Sequence, residues 1–207
     1  MQDVQSREDG RGIAIQRVGV KDVRLPFLIK KQAGGYQQVL ATITFTVSLP
    51  MEFKGTHMSR FLEILLPWRE KPLAEEEMDA MLTEALDRLQ AEAAEVRLAF
   101  TYFLEKSAPV SGRTSLLDVD ASFTGRKRRG MPMEFELGLS MPFTSLCPCS
   151  KEISSYGAHN QRSRARVRLR FHEGVPCIYI EDLASLLEQQ GSAPIYPLLK
   201  RVDEKYV

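Results

Sequence analysis

The stretch QVLATITFTVSL, residues 38–49, carries the clearest secondary-structure signal in this 207-residue chain. Apolar and hydroxyl side chains alternate along it. Val39, Ala41, Ile43, Phe45, Val47 and Leu49 fall on one face, while Thr42, Thr44, Thr46 and Ser48 fall on the other. A period of two residues is that of a β-strand with one buried face. The stretch therefore predicts a strand in a sheet whose other side is covered.

The flanking segments predict a second strand and a long helical region. Ile13 to Val23 is the partner strand, and Gly34 and Gly35 mark the turn between the two. Pro72 and the acidic residues after it are typical of a helix start, where the helix dipole favours negative charge. Apolar residues then recur every three or four positions, which predicts one or two amphipathic helices as far as about Lys106.

The second half of the chain returns to strand patterns. Ser115–Thr124 and Met131–Met141 are predicted strands on either side of GRKRRG, residues 125–130, which is predicted to be a solvated hairpin tip rather than a nucleic-acid site. Arginines alternate with apolar residues from Arg164 to Phe171, which predicts a strand with one cationic face. Cys177–Glu181 is a further predicted strand, and Asp182 is expected to cap a helix over 183–190 that Gly191 ends. The predicted class is α+β with mainly antiparallel pairing.

Composition excludes several classes of function. Hydrophobic residues make up 43% of the chain and charged residues 27%, with a formal net charge of +1, so no overall field attracts nucleic acid or anionic membranes. No apolar run approaches the roughly 20 residues of a membrane span. We expect a soluble, cytoplasmic protein. Three cysteines are too few for a disulfide framework, so reduced thiols are expected to be available to a metal.

Two stretches carry candidate chemistry. In the first, Cys147, Cys149 and His159 lie close together in the chain. A thiolate, an imidazole and a carboxylate from elsewhere would hold a divalent metal and leave one position open for water, as in catalytic sites. Two other interpretations remain open: small buried cysteines with a turn-capping histidine, or a cysteine nucleophile with His159 as its base.

The second stretch is KGTHMSRF, residues 54–61. It spaces Lys54, His57 and Arg60 three residues apart after the Pro50 break. Charge-assisted hydrogen bonds from such groups suit a polyphosphate, because contacts to phosphate oxygens are among the strongest that side chains make. A polar loop without a ligand is the competing interpretation.

Four motifs together resemble the type IB GTP cyclohydrolases, a prokaryotic family of the tunnelling fold. They are VGVKD at 18–22, KGTHMSRF at 54–61, CPCSKEISSYGAHNQRS at 147–163 and LKRVDEKYV at 199–207. The resemblance implies tandem tunnelling-fold modules, each an antiparallel sheet backed by helices. On this basis we expect a flexible segment at 1–12, a first module at 13–142, and the metal-site loop with the start of a second module at 143–207. Members of the family continue beyond the position of Val207 with a glutamate that anchors guanine, so the second module is expected to be incomplete in these 207 residues.

The resemblance also implies an activity. Such enzymes convert GTP and water to 7,8-dihydroneopterin triphosphate and formate, at the start of folate synthesis, as homotetramers with active sites shared between subunits. The expected ligands of a zinc, manganese or iron ion are Cys147, His159 and Glu204. Cys149 is expected beside them, facing the substrate, and Lys54, His57 and Arg60 near the triphosphate.

Two alternatives to that activity remain. One is a nitrile reductase of the same fold, in which a cysteine attacks a deazapurine nitrile. The other is a zinc-containing module that binds nucleic acid through GRKRRG and the arginine strand. The near-neutral charge and the absence of aromatic residues among those cations argue against the second. We therefore expect no nucleic-acid partner and no membrane partner.

Overall fold

The computed structural model describes residues 13–53, 55–153, 160–171 and 176–206. Within them the chain forms seven strands and five helices. In chain order they are β1 (Ile15–Lys30), β2 (Tyr36–Leu49), α1 (Met58–Trp68), β3 (Pro72–Leu73), α2 (Glu75–Arg88), β4 (Ala93–Ser107), β5 (Thr114–Arg128), β6 (Glu134–Leu146), α3 (Pro148–Ile153), β7 (Asn160–Phe171), α4 (Ile180–Glu188) and α5 (Arg201–Tyr206). The predicted α+β class is confirmed.

The strands form one sheet in the order β3-β1-β2-β4-β5-β6-β7. Strand β2 is antiparallel to β1 and to β4, whereas the two-residue β3 is parallel to β1. The alternation predicted for β2 is confirmed, because its apolar face is buried and Phe45 is fully inaccessible. The ring of Phe45 meets that of Phe61 in α1 edge to face, with 5.2 Å between centroids. Helix α1 therefore covers the apolar face of β2.

Two features of VGVKD at 18–22 shape the pairing of β1 with β2, where the two backbones approach each other closely. A side chain at Gly19 would collide with the carbonyl oxygen of Phe45 and lie 2.8 Å from Cα of Thr46. Asp22 has a φ of 58°, in the left-handed region that asparagine and aspartate tolerate best, where the pairing of β1 shifts register between Val20 and Val23. Gly19 therefore permits a backbone contact that no other residue would allow.

Helix α1 is absent from the sequence predictions, which treat the polar part of this segment as a loop. Its buried side chains are Phe61, Ile64, Leu65 and Trp68. Their spacing of three, four and seven residues is the helical signal that was present in the sequence. Pro67 lies inside the last turn and obscures that signal, since proline is usually taken to end a helix.

The helical prediction from Pro72 to Lys106 is correct only for its first half. Helix α2 ends at Arg88, Gln90 adopts a φ of 51°, and the chain then enters β4. The buried residues of β4 are Ala94, Val96, Leu98, Phe100, Tyr102 and Leu104, a period of two. Phe103, an apolar residue within the predicted helical region, is 45% exposed. Several apolar positions fit both a helical spacing and a period of two. The buried residues are those that recur with the period of two.

The basic run GRKRRG reaches the predicted turn only at its end, because the turn between β5 and β6 covers residues 129–133. Strand β5 continues through Arg128, and Gly125 lies inside it, where a side chain would meet Leu82 at 2.9 Å. Three of the four cations contact carboxylates: Arg126 with Glu95 (3.3 Å), Lys127 with Asp79 (2.6 Å) and Arg129 with Asp87 (2.8 Å). Arg129 also donates 2.7 Å to the Leu86 carbonyl near the end of α2. The run is thus tied to the fold, which further weakens the nucleic-acid hypothesis.

The arginine strand is confirmed as β7, the last strand of the sheet. Its arginines are exposed, and Arg164 crosses to Asp120 (2.9 Å) and Ser140 (3.1 Å), while Arg170 lies 3.6 Å from Glu136. Part of its cationic face therefore meets carboxylates of the same chain.

The segment after β7 differs from its prediction. No strand forms over the described residues 177–181, and α4 begins at Ile180 instead of Leu183. Asp182 still serves as a cap, because its carboxylate accepts a 2.9 Å hydrogen bond from the Tyr179 amide. The helix ends at Glu188 with Gln189 as its C-cap, two residues earlier than predicted, and the Gly191 amide bonds to the Glu188 carbonyl at 3.0 Å.

The chain divides into two compact units. The first comprises residues 1–100, 122–137 and 169–177, and the second comprises 101–121, 138–168 and 178–207, in each case where these residues are described. In the second unit, the Tyr102 hydroxyl of β4 donates to Glu181 of α4 at 2.6 Å, and Lys106 donates to Glu188 at 2.6 Å. The expected boundary at residue 142 stays a prediction. None of the helices in the described ranges is both long and apolar enough to cross a membrane.

Candidate metal and substrate site

Cys147 occupies the junction between β6 and α3. It is half-buried, and its carbonyl accepts a 3.1 Å hydrogen bond from the Lys151 amide. Hydrogen bonds from the side chain and then the amide of Ser150, with weaker ones from Cys149, lower the pKa of the Cys147 thiol despite partial burial. The thiolate is the form of cysteine that binds metals and attacks electrophiles. Local structure therefore prepares Cys147 for either role.

Cys149 is exposed and lies in the short helix α3. In an extended segment its thiol would point the same way as that of Cys147. The segment is helical from Pro148 onward, and the side chain of Cys149 still forms a hydrogen bond with the Cys147 thiol. Cys147 is half-buried and Cys149 is exposed, which is compatible with separate roles.

The segment that contains Cys147 connects two strands that are neighbours in the sheet. Leu146 ends β6, Asn160 begins β7, and the Ser145 and Ser163 hydroxyl oxygens lie 3.4 Å apart across these two strands. His159 directly precedes Asn160 in the chain but lies outside the described residues, as does Lys54. The predicted role of each stays a prediction.

Glu204 is exposed on α5, and its amide donates 3.0 Å to the Lys200 carbonyl. The preceding residue, Asp203, is fully buried and accepts four hydrogen bonds. They come from the Val110 amide (2.9 Å), the Ser111 amide (2.8 Å), the Ser111 hydroxyl (2.7 Å) and the Lys200 amide (2.8 Å). Burial opposes the charged form, but these bonds outweigh it and hold the pKa of Asp203 well below its usual range.

Asp203 is a residue that the sequence predictions miss. Its partners Val110 and Ser111 are 93 and 92 positions away in the chain. No local pattern could reveal them, and the aspartate in LKRVDEKYV looks like an ordinary acidic residue of a helix.

The KGTHMSRF segment forms the entry to α1. His57 is the N-cap residue, and the amide of Arg60, in the first turn, bonds to the His57 carbonyl at 3.1 Å. The side chains of His57 and Arg60 are half-buried. Thr56, which precedes His57 in the chain, is buried. Two basic side chains at the positive end of a helix dipole form an arrangement that favours an anionic group.

No three histidine, cysteine, aspartate or glutamate side chains come together as a metal site within the described ranges. The expected set includes His159, which is outside those ranges, so the ligand prediction stays a prediction. Cys177 is a poor ligand candidate, because burial, and then a hydrogen bond and charge from Glu75, raise the pKa of its thiol. It is held as a neutral thiol.

Comparison with known proteins finds the same family along essentially the whole chain. A family model described as type I GTP cyclohydrolase folE2 matches residues 1–207. The GTP cyclohydrolase FolE2 of Azoarcus sp. (strain BH72) is 48% identical over 205 residues, which cover 99% of this chain and 75% of that protein. The FolE2 of Geobacter metallireducens is 48% identical over 100% of this chain and 77% of its own. That of Geotalea uraniireducens is 49% identical over 100% and 74%.

Proposed function

Because this chain belongs to the FolE2 family of type I GTP cyclohydrolases, we propose that it holds a divalent metal through Cys147, His159 and Glu204. We propose that this metal serves in the hydrolytic opening of the guanine ring of GTP. The reaction converts GTP and water to 7,8-dihydroneopterin triphosphate and formate, the first step of tetrahydrofolate biosynthesis. The observation that carries the activity is the 48% identity to FolE2 proteins along all of the chain.

The chemistry of the donors fits such a metal. The lowered pKa of Cys147 makes a thiolate available. Glu204 is exposed, and among the described residues its carboxylate has no ion-pair partner that would compete with a cation. One thiolate, one imidazole and one carboxylate are acceptable to zinc, manganese and iron alike. A bound divalent ion would supply acidified water near neutral pH and polarise the bond under attack.

Hydrolysis of the guanine imidazole ring sets clear requirements for the protein. Hydration at C8 opens the ring, a second hydration releases C8 as formate, and closure onto the rearranged ribose returns one water. Each step needs a proton donor near the ring nitrogens. We assign that role to Cys149, because its thiol is exposed and lies beside Cys147.

The triphosphate needs cationic partners away from the reacting ring. His57 and Arg60 lie one turn apart at the start of α1 and supply charge-assisted hydrogen bonds there, with Lys54 three residues earlier in the chain. We further propose that the enzyme is a cytoplasmic homotetramer of tandem tunnelling-fold modules, with active sites shared between subunits. The resemblance of four motifs to that family supports this assembly.

The activity is tested by supplying the purified protein with GTP and a divalent metal. We expect formate and 7,8-dihydroneopterin triphosphate in a one-to-one ratio, because both come from the same ring opening. A parallel reaction with a deazapurine nitrile and NADPH tests the reductase alternative. Consumption of NADPH without formate release from GTP would replace the proposed function with that alternative.

A further inference from the structure

Helix α5 is too short to hold its shape alone. It has six residues, whereas isolated helices of fewer than about 12 residues are marginal in water. Its position is set by Asp203. The Asp203 carboxylate accepts hydrogen bonds from three backbone amides and one hydroxyl group of the same chain. One of these bonds closes the first turn of α5 on the Lys200 amide, and the others attach α5 to the turn between β4 and β5.

That turn, residues 108–113, has hydrogen bonds of its own that do not involve Asp203. The Ala108 amide bonds to the Arg113 carbonyl at 2.9 Å, and the Gly112 amide bonds to the Ala108 carbonyl at 3.1 Å. Gly112 has a φ of 64°, which glycine adopts without strain. The turn thereby directs two adjacent amides, those of Val110 and Ser111, to one carboxylate.

The contrast between Asp203 and Glu204 follows from this anchorage. Consecutive residues of a helix point about 100° apart. With Asp203 directed into the 108–113 turn and fully buried, Glu204 is turned outward and exposed. A carboxylate that binds a metal must be held in a narrow range of orientations, and neighbouring groups that hold it contribute to metal affinity.

We propose that Asp203 is a positioning residue that, through the 108–113 turn, orients Glu204 toward the metal. This inference rests on the proposed function, since it takes Glu204 as a ligand. It assigns the turn between β4 and β5, which carries none of the ligands, to the construction of the metal site.

The test is metal affinity, measured on the purified chain by competition with a chromogenic chelator for Zn²⁺. Asp203→Asn removes the negative charge and turns an amide NH₂ toward groups that are themselves donors. We expect its Zn²⁺ affinity to fall about 10- to 100-fold, the range typical for loss of a group that supports a ligand. Ser111→Ala removes only one of the four hydrogen bonds that Asp203 accepts and is expected to lower affinity about two- to tenfold.

Glu188→Gln is the matched control. It makes the same carboxylate-to-amide change at a partly buried acid of the second unit, whose partner is Lys106 at 2.6 Å. We expect a lower melting temperature but unchanged Zn²⁺ affinity. An equal loss of affinity in Glu188→Gln, or wild-type affinity in both Asp203→Asn and Ser111→Ala, would overturn the inference.

A second arm separates this inference from the proposed function. If Glu204→Gln weakens Zn²⁺ binding while Asp203→Asn and Ser111→Ala do not, the ligand survives and the positioning role is wrong. If Glu204→Gln binds Zn²⁺ as tightly as the wild type, both the ligand set and the positioning role are wrong. With Co²⁺ as the probe, we expect Asp203→Asn to alter the visible absorption bands, while Glu188→Gln leaves them unchanged.

Discussion

Replacing Cys147 with alanine is expected to eliminate tightly bound metal and to reduce GTP turnover by more than about 100-fold, the upper range for losing a group that only supports a ligand. Hydrogen bonds from Ser150 lower the pKa of the Cys147 thiol. Its removal leaves an imidazole and a carboxylate, which are too few protein ligands for a stable catalytic site. Metal content and formate release are measured on the same preparations.

The other two cysteines serve as controls for that substitution. Cys177→Ala is expected to retain both metal and activity, because its neutral, partly buried thiol is held by Glu75. Cys149→Ala is expected to retain metal while losing turnover, since we assign it to proton transfer. Full turnover by Cys147→Ala would refute its role as a ligand.

Replacing Gly19 with alanine is expected to lower the free energy of unfolding by at least about 3 kcal/mol, at the upper end of typical costs for overpacking. The added methyl group would collide with the Phe45 carbonyl and crowd Cα of Thr46 at 2.8 Å. Both are backbone atoms of β2 where it pairs with β1, so neither can move without disturbing the sheet. Urea unfolding of the metal-stripped protein measures the effect without a contribution from bound metal.

Gly130→Ala provides the same chemical change in open space. Nothing lies within 4 Å of a side chain at Gly130, and only its φ of 73° disfavours alanine. We expect a loss of about 1 kcal/mol there. Equal losses at the two glycines would show that the close approach of β1 to β2 is not what requires Gly19.

How well the sequence predicts each element depends on whether one period explains its apolar residues. Strand β2 and strand β7 alternate polar and apolar residues without ambiguity, and both predictions are confirmed. In β4 the apolar positions fit a helical spacing as well as a period of two, and only the sheet decides between them. Helix α1 is obscured by Pro67 near its end.

The candidate site shows a similar division. Cys147, Cys149 and His159 stand out as chemically unusual in the sequence, but their spacing leaves metal binding, nucleophilic attack and simple burial all open. Glu204 enters only through the family resemblance. Asp203 could not be predicted, because the amides it binds are brought to it by the fold from a turn more than 90 residues earlier.

The central claim, a metal-dependent GTP cyclohydrolase, is tested most directly by titrating metal-stripped protein with Zn²⁺, Mn²⁺ or Fe²⁺ and measuring formate released from GTP. We expect no formate without metal, and for at least one of the three ions a rate that rises with added metal and levels off at one ion per chain. Full formate release by the stripped protein, unaffected by added metal or chelator, would contradict the claim.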